Sequence, residues 1–208
     1  MFLIQRPTIE LITTFLANRD GDDYSYSEVG STLLPDPPYG FNIDHNRIEI
    51  GLGASDFERA KSAVRRWEMF SLGWVELFHR DTPIEAGRTV AILVRHFRFY
   101  SLNAARIVYT IDEAGEIERF GFAYGTLTEH GEIGEERFSV EFHKTTGEVW
   151  YDLYAFSRPG SLLAKLGYPL SRYLQKAFAR DSKHAMASAT RARNGELHAQ
   201  LPWVNGRA

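Results

Sequence analysis

The sequence predicts an α+β fold: a curved antiparallel sheet of about six or seven strands gripping a long C-terminal helix, with helices near the N-terminus. Three observations predict it. From Arg88 to Phe156, five segments alternate apolar and polar side chains with a period of two, joined by short Gly-containing loops that suit hairpins. No helix-length segment separates them, which argues against parallel βαβ units. After them, from Ser157 to about Ala192, Leu163, Leu166, Leu170, Leu174 and Ala177 recur at steps of three and four, and Tyr173 and Phe178 widen the stripe. A helix with one apolar side must lie on something. The aromatic strands before it are the natural surface, with an apolar cavity expected between the two.

The elements follow in order. Pro7 to Asn18 reads as a first helix, with Pro in its first turn and Ile9, Leu11, Ile12, Phe15 and Leu16 on one buried side. Asp20 to Asp23 breaks it. Tyr24 to Phe41, punctuated by Gly and Pro, reads as irregular chain that either wraps the domain or covers a cavity mouth. Arg47 to Gly53 alternates Ile48, Ile50 and Leu52 with Arg47, Glu49 and Gly51, a short half-buried strand. Ser55 and Glu58 match a capping box for a helix running to about Phe70, with Phe57, Ala60, Val64 and Trp67 inward. Trp74 to Phe78 is a strand and Asp81 to Gly87 a turn.

The five strands that follow are Arg88 to Arg98, Ala105 to Ile111, Arg119 to Thr128, Arg137 to His143 and Glu148 to Phe156. In the third, Phe120, Phe122 and Tyr124 share one face while Gly121, Ala123 and Gly125 form the other. Three roles suit that small-residue face: sheet curvature, close approach of a helix, or room for a ligand. Pro169, which has no amide hydrogen, predicts either a kink or a short helix ending near Leu166 followed by a longer one with Pro169 in its first turn. The organisation expected is a single domain. A helical extension covers 1–23, the sheet-and-helix body covers 24–192, and a loosely held tail covers 193–208, with Trp203 tacking it to the body.

The totals narrow the function. Of 208 residues, 44% are hydrophobic and 25% charged, as in an ordinary globular domain. Thirteen of the 28 aromatic residues fall between Phe97 and Phe156, which concentrates them on the sheet. The lack of Cys excludes disulfides and thiol catalysis and is compatible with a reducing cytoplasm. The N-terminus has no basic region followed by a continuous apolar run, and no apolar stretch approaches the ~20 residues that span a bilayer. A cytoplasmic location without a membrane span is therefore expected. The net charge of −3 hides an asymmetry, since Arg158 to Arg193 carries +7 and the remainder −10. A basic helix face on an acidic sheet accounts for it, and nucleic acid is not an expected partner because aromatic stacking platforms are not interleaved with the basic residues.

No strong catalytic motif is present: there is no G-x-S-x-G, phosphate-binding loop or H-E-x-x-H. The seven His residues show no short metal-ligand spacing, so neither a metal nor another cofactor is expected. The densest polar group, Glu129 to Arg137, contains His130, Glu135 and Glu136. It reads plainly as a solvated acidic hairpin, and functionally as His130 paired with a carboxylate for acid–base work. Arg95, Arg98 and Arg106 fall on adjacent strands; any that points inward needs a carboxylate or a ligand anion. Tyr109, Tyr124, Tyr151 and Tyr154 combine an aromatic body with a polar tip, suited to core or to orienting an apolar guest. The ligand-binding candidates are Arg95, Arg106, Tyr109, Phe122, Tyr124, His130, Glu135, Tyr154 and Tyr173.

The runs RFGFAYGTLTEHGEIGEERFSV and YDLYAFSRPGSLLAKLGYPLSRYLQKAFARDSKHAM resemble the bacterial and plant family catalogued as uncharacterised protein family 0548. YSYSEVGST at Tyr24 to Thr32, the IGLG of Ile50 to Gly53, Trp67, and NAARIVY at Asn103 to Tyr109 extend the resemblance over about Tyr24 to Met186. It implies no assigned reaction and therefore no catalytic residue. It also implies kinship with the START-type, pollen-allergen-like helix-grip superfamily, whose members enclose apolar ligands between a curved sheet and the last helix. Three readings follow in order. The first is a module that binds a small apolar or amphipathic molecule in the sheet–helix cavity. The second is a cyclase, hydrolase or isomerase using the same cavity, with His130, Glu135 or an inward Arg supplying polarity. The third is an interaction module acting through the basic C-terminal helix. Oligomeric state stays open.

Overall fold

Alternation with a period of two puts one side of each strand in a core and leaves the other for a second layer, and the chain uses both. The computed structural model describes residues 1–128, 132–160 and 168–191. Its strands are β1 (Phe2–Leu3), β2 (Asn42–Leu52), β3 (Val75–Phe78), β4 (Thr89–Arg95), β5 (Tyr100–Glu113), β6 (Ile117–Thr126), β7 (Glu132–His143) and β8 (Glu148–Pro159). They form one antiparallel, curled sheet in the order β2-β8-β7-β6-β5-β4-β3, with β1 paired to the start of β5. From β3 to β8 every neighbour in the chain is a neighbour in space, the meander expected from the short loops. The return of β2 to pair with β8 brings the N-terminal half against the last strand. Register shifts at Glu49/Gly51 and Ile107/Tyr109 interrupt the ladders, irregularities that help a sheet bend.

Among the described residues three α-helices complete the fold: α1 (Ile9–Ala17), α2 (Gly53–Arg65) and α3 (Tyr168–Arg191). On the concave face, α2 and α3 cover a core containing Phe57, Val64, Trp67, Phe70, Phe122, Phe138 and Tyr151. Phe57, Ala60, Val64 and Trp67 all point inward, as their spacing implied. On the convex face, Ile12 and Phe15 of α1 pack against Ala91, Leu93, Leu102, Ala104 and Leu127. Ile9 and Leu11, expected on the buried side, are exposed, because a nine-residue helix touches the sheet along a single narrow stripe. Thr8, not the Pro7 turn, caps α1, its Oγ1 accepting from the Leu11 amide at 3.3 Å.

Two boundaries differ from expectation for identifiable reasons. β2 begins at Asn42, five residues before the apolar alternation starts, because Asp44, His45 and Asn46 use polar side chains on both faces, with partners on β8 and α3. The capping box at Ser55 and Glu58 is not formed. α2 starts at Gly53, whose φ of 81° suits glycine, so Ser55 lies inside the first turn. Asp56 does the work instead, accepting from the Leu52 amide at 2.7 Å, while Ser55 accepts from Arg59 and Glu58 pairs with Lys61.

α3 corrects the apolar stripe. Its buried positions are Ala179, Ser182, Met186 and Thr190, while Leu170 and Tyr173 are 52% and 65% exposed. Pro169 is its second residue, the first-turn position anticipated. The helix packs against α2, β2 and the 3-10 turn Glu68–Phe70, and its buried positions begin at Ala179, leaving Leu170 and Leu174 of its first turns over a hollow. Leu163, Leu166 and the tail with Trp203 lie outside the described residues.

Candidate functional site

Where the first turns of α3 overhang the concave sheet, they leave a hollow of about 780 Å³. Tyr124 of β6, Glu136 of β7, and Leu153 and Ala155 of β8 face it from the sheet; Leu174, Phe178 and Ala179 face it from α3. Period two explains the sheet side, since Tyr124 shares a face with Phe122, and Glu136 with Phe138. Phe70 stands between the layers, its ring 6.1 Å from Tyr124, 5.5 Å from Phe138 and 5.4 Å from Phe178. Trp74 and Ser182 fix the helix over the hollow: Trp74 Nε1 donates to Asp181 Oδ2 at 3.0 Å, and the Ser182 and Tyr151 hydroxyls are 2.8 Å apart.

Polar and charged side chains line the hollow alongside the apolar ones, and several have defined partners. Tyr124 donates its hydroxyl to Glu136 Oε2 at 2.7 Å. Burial pushes the Glu136 carboxyl up to about 7, the hydrogen bond from Tyr124 pulls it partly back, and the nearby charge of Asp44 pushes it up again. The Tyr124 hydroxyl is driven well above its ordinary value by burial and by Glu136. Asp44 itself receives both Arg172 Nη atoms, at 2.5 and 2.7 Å, and Arg172 also donates to Gln175. Toward the β4–β5 hairpin, His96 Nε2 lies 2.8 Å from Ser101 Oγ and its ring stacks on Phe99. Burial pushes the His96 pKa down. Among the described residues no group of three or more His, Asp or Glu is placed to hold a metal ion.

The convex face carries a different polar assembly. The Glu135 carboxylate, 2% exposed, accepts from Tyr26 Oη at 2.8 Å, the Gly30 amide at 2.7 Å, the Thr32 amide at 3.0 Å and the Thr32 hydroxyl. Arg137 donates to the Thr32 carbonyl at 2.7 Å and to Asp152 at 3.1 Å, and Asp152 also meets His45 at 2.6 Å. The segment from Tyr24 to Leu33 is therefore strapped to the outside of the sheet, the wrapping role rather than the cavity-mouth one. On the small-residue face of β6, Gly121 lies against Phe138 and Ser139 of β7, and Gly125 serves the strap. A Cβ on Gly125 would come within 2.1 Å of Tyr26 Oη, so close approach, not ligand room, accounts for it.

The candidates named from sequence consequently part company. Tyr124 faces the hollow. Phe122 is fully buried in the core beside it, 4.6 Å from the Trp67 ring. Glu135 borders the hollow, but its carboxylate is engaged on the far side by the strap. Tyr109 lies there too, its hydroxyl 2.6 Å from Thr32 Oγ1 and pushed up to about 12 by burial. Arg106 needs no ligand anion, since it donates to the backbone carbonyls of Arg19, Asp20 and Asp22 beyond the end of α1. Tyr154 packs against His45 and Arg137 on the convex face. Arg95 is exposed and reaches the Gly73 carbonyl, Arg98 is exposed in the β4–β5 hairpin, and Tyr173 is exposed on α3. His130 lies outside the described residues. The groups that sequence reasoning passed over are Glu136, Asp44, Arg172 and His96. For Glu136 a signal existed, because it alternates with Phe138, Val140 and Phe142. For the Asp44–Arg172 pair, 128 residues apart, none did.

The similar solved structures are remote in sequence. Human STARD10 is 12% identical, with 97% of this chain and 88% of that one covered and a TM-score of 0.47. Truncated norcoclaurine synthase from Thalictrum flavum is 10% identical, with 76% of this chain and 99% of that one covered and a TM-score of 0.46. Sequence relatives are much nearer. A UPF0548 protein of Dictyostelium discoideum is 35% identical over 95% of this chain and its own full length. One from Deinococcus radiodurans is 37% identical over 86% of this chain and 94% of its own. One from Arabidopsis thaliana is 36% identical over 71% of this chain and 72% of its own. Residues 25–185 match the model of a domain of unknown function, DUF1990, which spans the strap, the whole run from β2 to β8 and most of α3. By both measures the chain belongs to the UPF0548 family, built on the DUF1990 domain.

Proposed function

We propose that this protein binds a small apolar or amphipathic molecule in the hollow between the sheet and α3. The observation that supports the reading is the hollow itself, about 780 Å³ and within the size range of small-molecule sites. Phe70, Trp74, Leu153, Leu174 and Phe178 give its wall a large apolar part, with polar groups such as Tyr124 and Glu136 among them. That is the composition with which ligand sites gain affinity from burial and orientation from one or two hydrogen bonds. The exposed Leu170 fits the same reading, as part of the wall that a guest would cover. Native mass spectrometry of the full chain, purified without detergent, tests it. An adduct of a few hundred daltons that is removed by organic extraction is expected. Its absence, together with failure to take up any apolar compound offered in excess, would count against the reading.

An enzymatic reading draws on one observation. Glu136, near neutral in its proton affinity and hydrogen-bonded to Tyr124, is a group on the hollow's wall able to give or take a proton at neutral pH. On this reading the polarity for chemistry comes from Glu136, since Glu135 and Arg106 are engaged on the convex face.

A further inference from the structure

We propose that the guest of this hollow is a cationic amphiphile, an apolar body carrying a protonated amine that Glu136 receives. The proposal rests on the binding reading above and adds the chemistry of the ligand. Its basis is an imbalance. Among the described residues Glu136 faces the hollow with a single neutral donor, the Tyr124 hydroxyl at 2.7 Å, and with no ion-pair partner. A carboxylate taken out of water normally keeps a cation or several donors, because an uncompensated buried charge is costly. Glu135, one residue earlier, shows the compensated alternative, with four donors from Tyr26, Gly30 and Thr32. The Glu136 site has room where those donors would be.

The charged groups around it leave that place to a cation. From β2, Asp44 adds a second negative charge close enough to raise the proton affinity of Glu136. From β7, Glu132 has its carboxyl raised by burial and hydrogen-bonds Ser171. From the β4–β5 hairpin, His96 has its pKa pushed down by burial, which disfavours its charged form. On α3 the cations are already engaged or face water: Arg172 is held by Asp44, Arg180 by Asp181, Lys183 by Asn46 Oδ1, and Lys176 is exposed. The wall beside Tyr124 is aromatic, with Phe70 and Phe178, the surface on which an ammonium group gains further attraction from ring faces.

The test uses three ligands of one shape on the full chain: 2-(1-naphthyl)ethylamine, 2-(1-naphthyl)ethanol and 1-naphthylacetate, each titrated calorimetrically from pH 5.5 to 8.5. At pH 8 the amine should bind at least about tenfold more tightly than the alcohol, the scale of one charge-assisted hydrogen bond. The preference should shrink as pH falls through about 7, where Glu136 takes up its proton. In Glu136→Gln the amine should drop to the level of the alcohol at every pH, with the alcohol unaffected. The pH series on the unaltered protein carries the test even if that variant folds poorly. Equal binding of amine and alcohol, or tightest binding of the carboxylate, would overturn the proposal while leaving the binding reading intact. If none of the three binds, both fall together.

Discussion

Two adjacent glutamates on β7 show how strand geometry sorts chemistry. Glu135 turns outward into four donors, and Glu136 turns inward to one. Replacing Glu135 by Ala would strand the Tyr26 hydroxyl, two amides and the Thr32 hydroxyl in a dry site. We expect a loss of about 3 kcal/mol or more, measured by urea unfolding, with Glu135→Gln intermediate. Glu136 behaves oppositely. Its folded pKa of about 7 lies above the ordinary value of 4.5, so the folded chain holds the proton more tightly. Its contribution to stability is therefore largest at low pH and is lost as pH rises from about 4.5 to about 7. Glu136→Gln should remove that decline and gain about 2 kcal/mol over the native protein at pH 8, while matching it near pH 5. A Gln variant less stable than the native chain at pH 8 would contradict this. The inward face of Glu136 was legible from its alternation with Phe138 and Val140. The burial of Glu135 was not, because its partners lie more than 100 residues earlier and the local sequence reads as a solvated hairpin.

At the scale of elements, the strands and their order follow from period-two patterning and short loops, which act locally and are visible in sequence. The helices are harder, since their buried faces depend on what lies opposite. In α3 Leu170 and Leu174 line the hollow, and the load falls on Ala179, Ser182, Met186 and Thr190, a small and polar set that reads weakly as a core. Met186→Ala should therefore cost about 2–4 kcal/mol, whereas Tyr173→Ala should cost little, since Tyr173 is largely exposed. The strap from Tyr24 to Leu33 has no period of its own and is specified by the surface beneath it. Gly125→Ala would thrust a methyl group into Tyr26 and should cost about 1–3 kcal/mol. Faster hydrogen exchange at Ser25, whose amide donates to the Thr126 carbonyl at 2.9 Å, would show that the strap has lifted.

Across the whole molecule, the sheet works with both faces. The convex face is closed by α1 and by the strap, whose Tyr26, Gly30 and Thr32 meet Glu135 of the GEERF run. The concave face is closed by α2 and the later turns of α3, and left hollow under the first turns. The GEERF run thus serves both faces, Glu135 holding the strap outside and Glu136 facing the hollow with Asp44, Leu174 and Phe178. The most direct test of a guest-holding hollow is titration with an uncharged apolar dye, Nile red, of the native chain and of Ala155→Trp, which sets an indole into the space. Saturable one-to-one binding by the native chain that disappears in a folded Ala155→Trp is the predicted result. Equal binding by both, or none by the native chain, would contradict it.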